Sequence, residues 1–250
     1  MKIISYSIFG EELIYQRGLK ANIGIAKDLF PDWTVRVYCS SLLPKDFIKS
    51  LDKENVELII KKDEYPYHGI MWRILPMQEG HEAVIIRDVD TRLFQRDKNL
   101  VDDWLKTSFK YHICRDNEGS IQPILAGLWG ARKAELPIQE TWDRWMEKHA
   151  DRNKFLWDQD YLKRNIYPKI RKNVVVYTEH VIYEGEKNVR RIPGERGIFE
   201  GRPISLGVYA TEDFSKDDDS RSHPTVIEKF GHSYQENRLQ LMDTIQDEVS

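Results

Sequence analysis

The chain has 250 residues, of which 40% are apolar and 32% charged, and a formal net charge of −3. That length allows one large domain or two small ones with a substantial core, and the composition excludes a disordered chain. Lys and Arg are dispersed along a slightly acidic sequence, which excludes a nucleic-acid binder working through a basic face. No apolar run approaches the ~20 residues of a membrane span. Met1 to Gly10 reads as a strand rather than a signal peptide, so a cytoplasmic protein is expected. Cys39 and Cys114 each fall in an expected strand and read as buried thiols of a reducing compartment.

In chain order, Lys2 to Phe9 predicts a first strand, turned by Gly10. Residues 11–30 predict a helix whose stripe is Ile14, Gly18, Ala21, Ile25 and Leu29, stopped by Pro31. Thr34 to Cys39 predicts a second strand, Pro44 to Leu51 a short helix and Val56 to Ile60 a third strand. Strands alternating with helices predict βαβ units and a mostly parallel sheet, with ligands at the carboxyl ends of its strands. Tyr6, Ser7 and Cys39 fall at such ends and are candidates to line a nucleotide. The aromatic stretch from Tyr65 to Pro76 predicts a helix with Trp72 in the core. Its Arg73 is a candidate to face a diphosphate, because a guanidinium matches phosphate oxygens.

Ala83-Val84-Ile85-Ile86 predicts a buried strand that ends in Arg87-Asp88-Val89-Asp90-Thr91-Arg92. Strand alternation would send Asp88 and Asp90 to one side and Val89 to the other. Two carboxylates so placed repel unless a cation sits between them. Arg87 and Arg92 are candidates for that role, and so is a divalent metal with oxygen ligands. An isolated Asp-x-Asp reads as a solvated pair in a turn; the apolar strand before it and the α/β pattern around it favour a site.

Farther on, Asp97 is expected to cap a helix carrying Leu100, Val101, Trp104 and Leu105. Tyr111 to Cys114 predicts a strand. In Pro123 to Gly130, Gly127 would let backbone approach a ligand closely, or make a tight packing corner. Pro137 opens a helix with Ile138, Thr141, Trp142, Trp145 and Met146 on one face. In Trp157-Asp158-Gln159-Asp160-Tyr161-Leu162, Asp158 is expected to cap a helix and Asp160 to lie in its first turn. Asn173 to Tyr177 predicts a late strand. Residues 185–207 read as an irregular loop, either over the site or on the surface, and 213–219 as a solvated acidic loop. A final amphipathic segment carries Leu239, Met242 and Ile245.

Taken together, these motifs resemble the nucleotide-sugar glycosyltransferases of the GT-A fold that carry a DXD motif, including small glycosyltransferase-like proteins of bacteria and large DNA viruses. The resemblance rests on Ser5-Tyr6-Ser7, Met71-Trp72-Arg73, Arg87 to Arg92, Gly127-Leu128-Trp129-Gly130, Asp158 to Leu162 and Gly231-His232-Ser233-Tyr234. It implies an α/β, single-domain, Rossmann-like GT-A fold over residues 1–235, with a mostly parallel central sheet flanked by helices and a C-terminal tail at 236–250. It implies a hexosyltransferase acting on a UDP- or GDP-sugar and a glycan or glycoconjugate acceptor. It also implies Mn²⁺ or Mg²⁺ held by Asp88 and Asp90, with His232 as a further ligand. Tyr6, Ser7, Cys39, Arg73, Arg87, Asp88 and Gly127 would bind the nucleotide sugar, and Asp158, Gln159 and Asp160 would lie near the transferred sugar. Two rival readings use similar features: a metal-dependent nucleotidyltransferase or phosphohydrolase, and a non-catalytic nucleotide-sugar-binding domain. The absence of an early Gly-rich phosphate loop with Lys argues against the first of these.

Overall fold

In a computed structural model the described residues are 1–10, 12–51, 56–62, 68–116, 122–149, 157–196, 198–199, 202–203 and 205–206. They build a mixed α/β architecture around an eight-stranded, mostly parallel sheet. The order of elements is β1 (Lys2–Ile8), α1 (Leu13–Leu29), β2 (Thr34–Ser40), α2 (Lys45–Leu51), β3 (Val56–Lys61), a 3₁₀ helix (His68–Gln78), β4 (Ala83–Ile86), α3 (Gln95–Lys106), β5 (Tyr111–Arg115), β6 (Trp129–Ala131) and α4 (Ile138–His149). Then α5 (Trp157–Tyr161) passes through a π-helical turn (Leu162–Ile166) into α6 (Tyr167–Ile170), followed by β7 (Val174–Thr178) and β8 (Val189–Arg190). A separate ribbon pairs β9 (Ile198–Phe199) with β10 (Arg202–Pro203). Strand order in the sheet is β3-β2-β1-β4-β6-β5-β7-β8, and β6 runs antiparallel to both its neighbours. The boundary expected at residue 235 lies outside the described residues. Among them, no helix is long and apolar enough to cross a membrane.

Strand alternation divides the core into two layers. Ile4, Tyr6, Ile8, Val35, Val37, Cys39, Ala83 and Ile85 pack with α1, α2 and α3. Ile3, Val84, Ile86, Ile113, Val174 and Val176 pack with the 3₁₀ helix, α4 and the α5–α6 segment on the opposite face. The 3₁₀ helix contributes Met71, Ile74 and Met77, all buried. A 3₁₀ helix has three residues per turn, so that spacing lines up one row against the sheet. Trp72 is buried as expected and meets Phe9 edge-on at 6.4 Å between ring centroids.

The buried side of α1 is Gly18, Leu19, Asn22 and Ala26. Of the stripe read from the sequence, Gly18 lies on this face, while Ile14, Ala21, Ile25 and Leu29 are half-buried. The reason is a polar contact that apolar periodicity does not register. Asn22 Nδ2 donates to Thr91 O at 2.7 Å, and its Oδ1 accepts from Leu93 N at 3.1 Å. One turn earlier, a Cβ on Gly18 would overlap Val89 O. Helix α1 therefore cradles the turn that leaves β4, and only a residue without a side chain fits at 18.

Two glycine substitutions in this one helix should have opposite signs. Gly18→Ala pushes the helix off the 89–91 turn and should destabilise by about 1–3 kcal/mol. At Gly24 an added Cβ meets nothing within 4 Å. Gly24→Ala should stabilise by about 0.4–1 kcal/mol through loss of backbone freedom in the unfolded chain. Urea unfolding of both variants measures the difference.

Candidate active site

Strand β4 ends at Ile86, so Asp88 and Asp90 lie in the turn beyond it rather than in the strand. The ladder runs one step further, where Arg87 N donates to Ser5 O at 3.2 Å. Alternation continues through that step and separates neighbours by face. Arg87 turns toward α3, with Nε and Nη2 on the Asp97 carboxylate at 2.9 and 2.7 Å and Nη1 on Ile86 O at 2.7 Å. Asp88 turns to the other face, toward the 3₁₀ helix and α5.

There Arg73 Nη2 lies 2.9 Å from Asp88 Oδ1 and 2.9 Å from Asp158 Oδ2. One buried guanidinium thus joins three distant parts of the chain. Asp158 is buried and also accepts from Gln159 N at 2.9 Å. Burial pushes the Asp158 carboxyl up to about 6; Arg73 opposes that shift and Asp88 adds to it. Asp90 is pushed well above the usual carboxylate range, first by burial and then by the charge of Asp88, against its own backbone N–H, Arg73 and Arg92. Negative charge is in surplus at this turn, with Asp88 and Asp158 on one bridging arginine and Asp90 close enough to feel the charges of Asp88, Arg73 and Arg92.

That surplus gives a test of whether a divalent cation fits. The available donors at the turn are carboxylate oxygens, the type that hard divalent ions prefer. A cation would offset the part of the Asp90 shift that comes from the Asp88 charge. Asp88 and Asp90 are thus a suitable part of a binding shell. Among the described residues, no group of three or more His, Cys, Asp or Glu side chains is placed to hold a metal by itself. His232, the further ligand that the resemblance implies, lies outside the described residues.

The remaining candidates separate clearly. Gly127 belongs with Asp88, since a Cβ at 127 would overlap the Asp88 carboxylate. Ser7 is buried at the end of β1, and its Oγ has no hydrogen-bond partner among the described residues. Tyr6 and Cys39 are core side chains under α1 to α3, because their positions in β1 and β2 face that layer. They do not line a cleft in this structure. Arg87 is likewise directed away from the acidic turn. Arg92 Nη1 donates to Thr91 O at 2.9 Å, and its charge still reaches Asp90. Asp160 is exposed and joins no ion pair among the described residues, so it stands apart from the acids on Arg73.

Asp97 is a further correction. It sits inside the first turn of α3, whose N-cap is Phe94, and serves as the buried partner of Arg87 rather than as a cap. The described part of the irregular 185–207 stretch is tied down. Arg196 Nη2 donates to Asp116 Oδ1 at 3.1 Å, and Leu206 N donates to Asp116 Oδ2 at 2.8 Å. The Arg73–Asp158 bridge spans 85 residues and had no local signal. Gly18 and Asn22 did carry one, as a glycine and an amide one turn apart inside an otherwise ordinary helix.

The fold and this cluster define the chain as an α/β protein with an acidic site just beyond the carboxyl end of a central parallel strand. No family model matches the chain, and no curated protein matches it. Several solved glycosyltransferases, the class the motifs resemble, are similar in structure. One involved in the glycosylation of the major capsid of PBCV-1 is 17% identical with a TM-score of 0.47, over 71% of this chain and 81% of that one. The galactosyltransferase LgtC, in complex with donor and acceptor sugar analogs, is 15% identical with a TM-score of 0.47, over 71% of this chain and 73% of its own. The mannosyltransferase PcManGT of Pyrobaculum calidifontis, in complex with GDP-Man and Mn²⁺, is 14% identical with a TM-score of 0.40, over 74% of this chain and 58% of its own.

A buried ion-pair partner and an exposed acid should respond differently to mutation. Asp97→Ala leaves the Arg87 charge buried without its partner and should cost about 3–5 kcal/mol of stability. Asp160→Ala, at an exposed position, should change stability by less than roughly 0.5 kcal/mol. Chemical denaturation followed by tryptophan fluorescence would compare them, and a mild Asp97→Ala would mean that the Arg87 pair does not anchor the turn to α3.

Proposed function

We propose that this chain is a glycosyltransferase that moves a hexose from a UDP- or GDP-sugar to a hydroxyl of a glycan or glycoconjugate. The observation that supports this most is the convergence of Asp88 and Asp158 on Arg73, with Asp90 beside them, just past the carboxyl end of β4. Open parallel sheets bind nucleotides at such ends. The motifs that carry the glycosyltransferase resemblance also meet there: Met71-Trp72-Arg73, the Asp-Val-Asp turn, Gly127 and Asp158.

Sugar transfer from a nucleoside diphosphate builds negative charge on the departing diphosphate. Arg73 is placed to meet it, since a guanidinium held by two carboxylates can exchange one of them for a phosphate oxygen. Asp158 would then be released to accept hydrogen bonds from hydroxyls of the transferred sugar. Asp88 and Asp90 would hold Mn²⁺ or Mg²⁺ together with the donor, and His232 is proposed as a further ligand on the resemblance alone. The cation would supply neutralising charge to the departing diphosphate. The Ser7 hydroxyl at the end of β1, without a hydrogen-bond partner among the described residues, is a proposed contact of the nucleotide. Asp160 faces outward, where an acceptor hydroxyl would come, and is the proposed base if the reaction inverts. A cytoplasmic setting is part of the same reading, in keeping with two free cysteines.

Incubation with a panel of UDP- and GDP-sugars and Mn²⁺ tests the proposal through the product released. Slow release of nucleoside diphosphate, faster with acceptor, is expected. Release of pyrophosphate or phosphate would instead identify a nucleotidyltransferase or phosphohydrolase, and binding without turnover a binding domain. Asp90→Asn should lose most metal-dependent turnover while melting within a few degrees of the parent. Arg73→Ala should weaken donor binding by roughly 1.5–3 kcal/mol, the worth of a charge-assisted hydrogen bond. Unchanged donor affinity in that variant would take Arg73 out of the site.

A further inference from the structure

The side chain of Gln159 points away from the arginine bridge to which its neighbour Asp158 belongs. Oriented so that both ends of the amide are matched, its carboxamide donates from Nε2 to Ile124 O at 2.9 Å and accepts at Oε1 from Ala126 N at 2.8 Å. A carboxamide is one of the few side chains that can satisfy a carbonyl and an N–H of one loop at once. The loop turns at once, with Leu128 N donating to Leu125 O at 3.1 Å. Its tip is Gly127, pressed against Asp88 so closely that a Cβ there would overlap Oδ2. The other Asp88 oxygen lies 2.9 Å from Arg73, which also binds Asp158, whose Oδ1 accepts from Gln159 N at 2.9 Å. These contacts close a ring: Gln159, the 124–127 backbone, Asp88, Arg73, Asp158, and back to Gln159.

We infer that Gln159 is a positioning residue whose carboxamide fixes the 124–127 backbone as the wall against which the Asp88 carboxylate is seated. The wall and Arg73 hold Asp88 from opposite sides, so its rotation is set before any ligand arrives, as outer contacts of metal and substrate groups commonly do. Release of the wall would let Asp88 turn. The inference deepens the proposed function and rests on it for one step, the role of Asp88 toward the cation and the donor. It differs from the role that the resemblance implies for Gln159, at the transferred sugar.

The test uses three variants of the full chain. Gln159→Met keeps the length but makes neither bond, and Gln159→Glu keeps an acceptor for Ala126 N but turns an oxygen toward Ile124 O. Gln159→Asn keeps the amide chemistry on a shorter arm. Hydrogen exchange at the Ala126 amide should accelerate about tenfold or more in Gln159→Met, because a protecting bond is lost. Mn²⁺-dependent binding of UDP or GDP, by calorimetry, should weaken about tenfold in Gln159→Met and Gln159→Glu, with metal-free nucleotide binding unchanged. Gln159→Asn should recover part of both effects. Unchanged protection at Ala126 would overturn the inference. So would faster exchange with unaltered Mn²⁺-dependent binding, and so would parental binding with lost turnover, which would place Gln159 on the sugar instead. If the parent binds neither nucleotide in Mn²⁺, the transferase reading falls. The clamp is then judged by exchange at Ala126, where a parental rate in Gln159→Met overturns it.

Discussion

Arg73 brings one positive charge to a place that two carboxylates share. Its Nη2 lies 2.9 Å from both Asp88 and Asp158. A buried charge is tolerated only when it is paired and hydrogen-bonded, so this contact ties together segments that are remote in the chain. The 3₁₀ helix supplies the arginine, the turn after β4 one acid and α5 the other. Asp90, beside them, is raised first by burial and then by the charge of Asp88. A site built this way is poised to take up positive charge or to exchange one of its internal anions for another.

The two faces of the sheet decide which arginine takes that role. Arg87 and Asp88 are adjacent, yet the pleat sends them to opposite layers. On one layer Arg87 meets Asp97 of α3 and fixes the base of the turn. On the other, Asp88 meets Arg73. The same segment is thus anchored by a closed ion pair on one side and left with an open, over-charged one on the other. Helix α1 adds a third constraint through Asn22 and the missing side chain of Gly18. Rigidity is concentrated around the acidic turn, as preorganised charge requires.

Much of this was legible in the sequence. Apart from β6 and α6, the strands and helices through β7 fall close to where apolar periodicity, Pro and Gly put them, because burial on two faces of a parallel sheet leaves a strong local pattern. Asp88 and Asp90 were legible as a pair because an apolar strand ends directly before them. The 3₁₀ winding of residues 68–78 was not, since a helix with Trp72 buried can be drawn with either period. The burial of Tyr6 and Cys39 shows a different difficulty. A position at a strand's carboxyl end can be read from sequence, but the face on which its side chain lies depends on register with neighbouring strands.

The sequence by itself determined the α/β class, the parallel sheet, the acidic turn beyond β4 and the residue types able to hold a cation or a diphosphate there. These follow from local spacing, which the chain carries along its length. Only the tertiary structure decided which charges meet. It gave Arg87 to Asp97 and Arg73 to Asp88 and Asp158, exposed Asp160, and set Gln159 on the backbone of the 124–127 loop. The physical reason is that ion pairs and buried hydrogen bonds are chosen by proximity across the sheet and by the cost of burying a charge without a partner. Neither quantity is written in the spacing of residues along the chain.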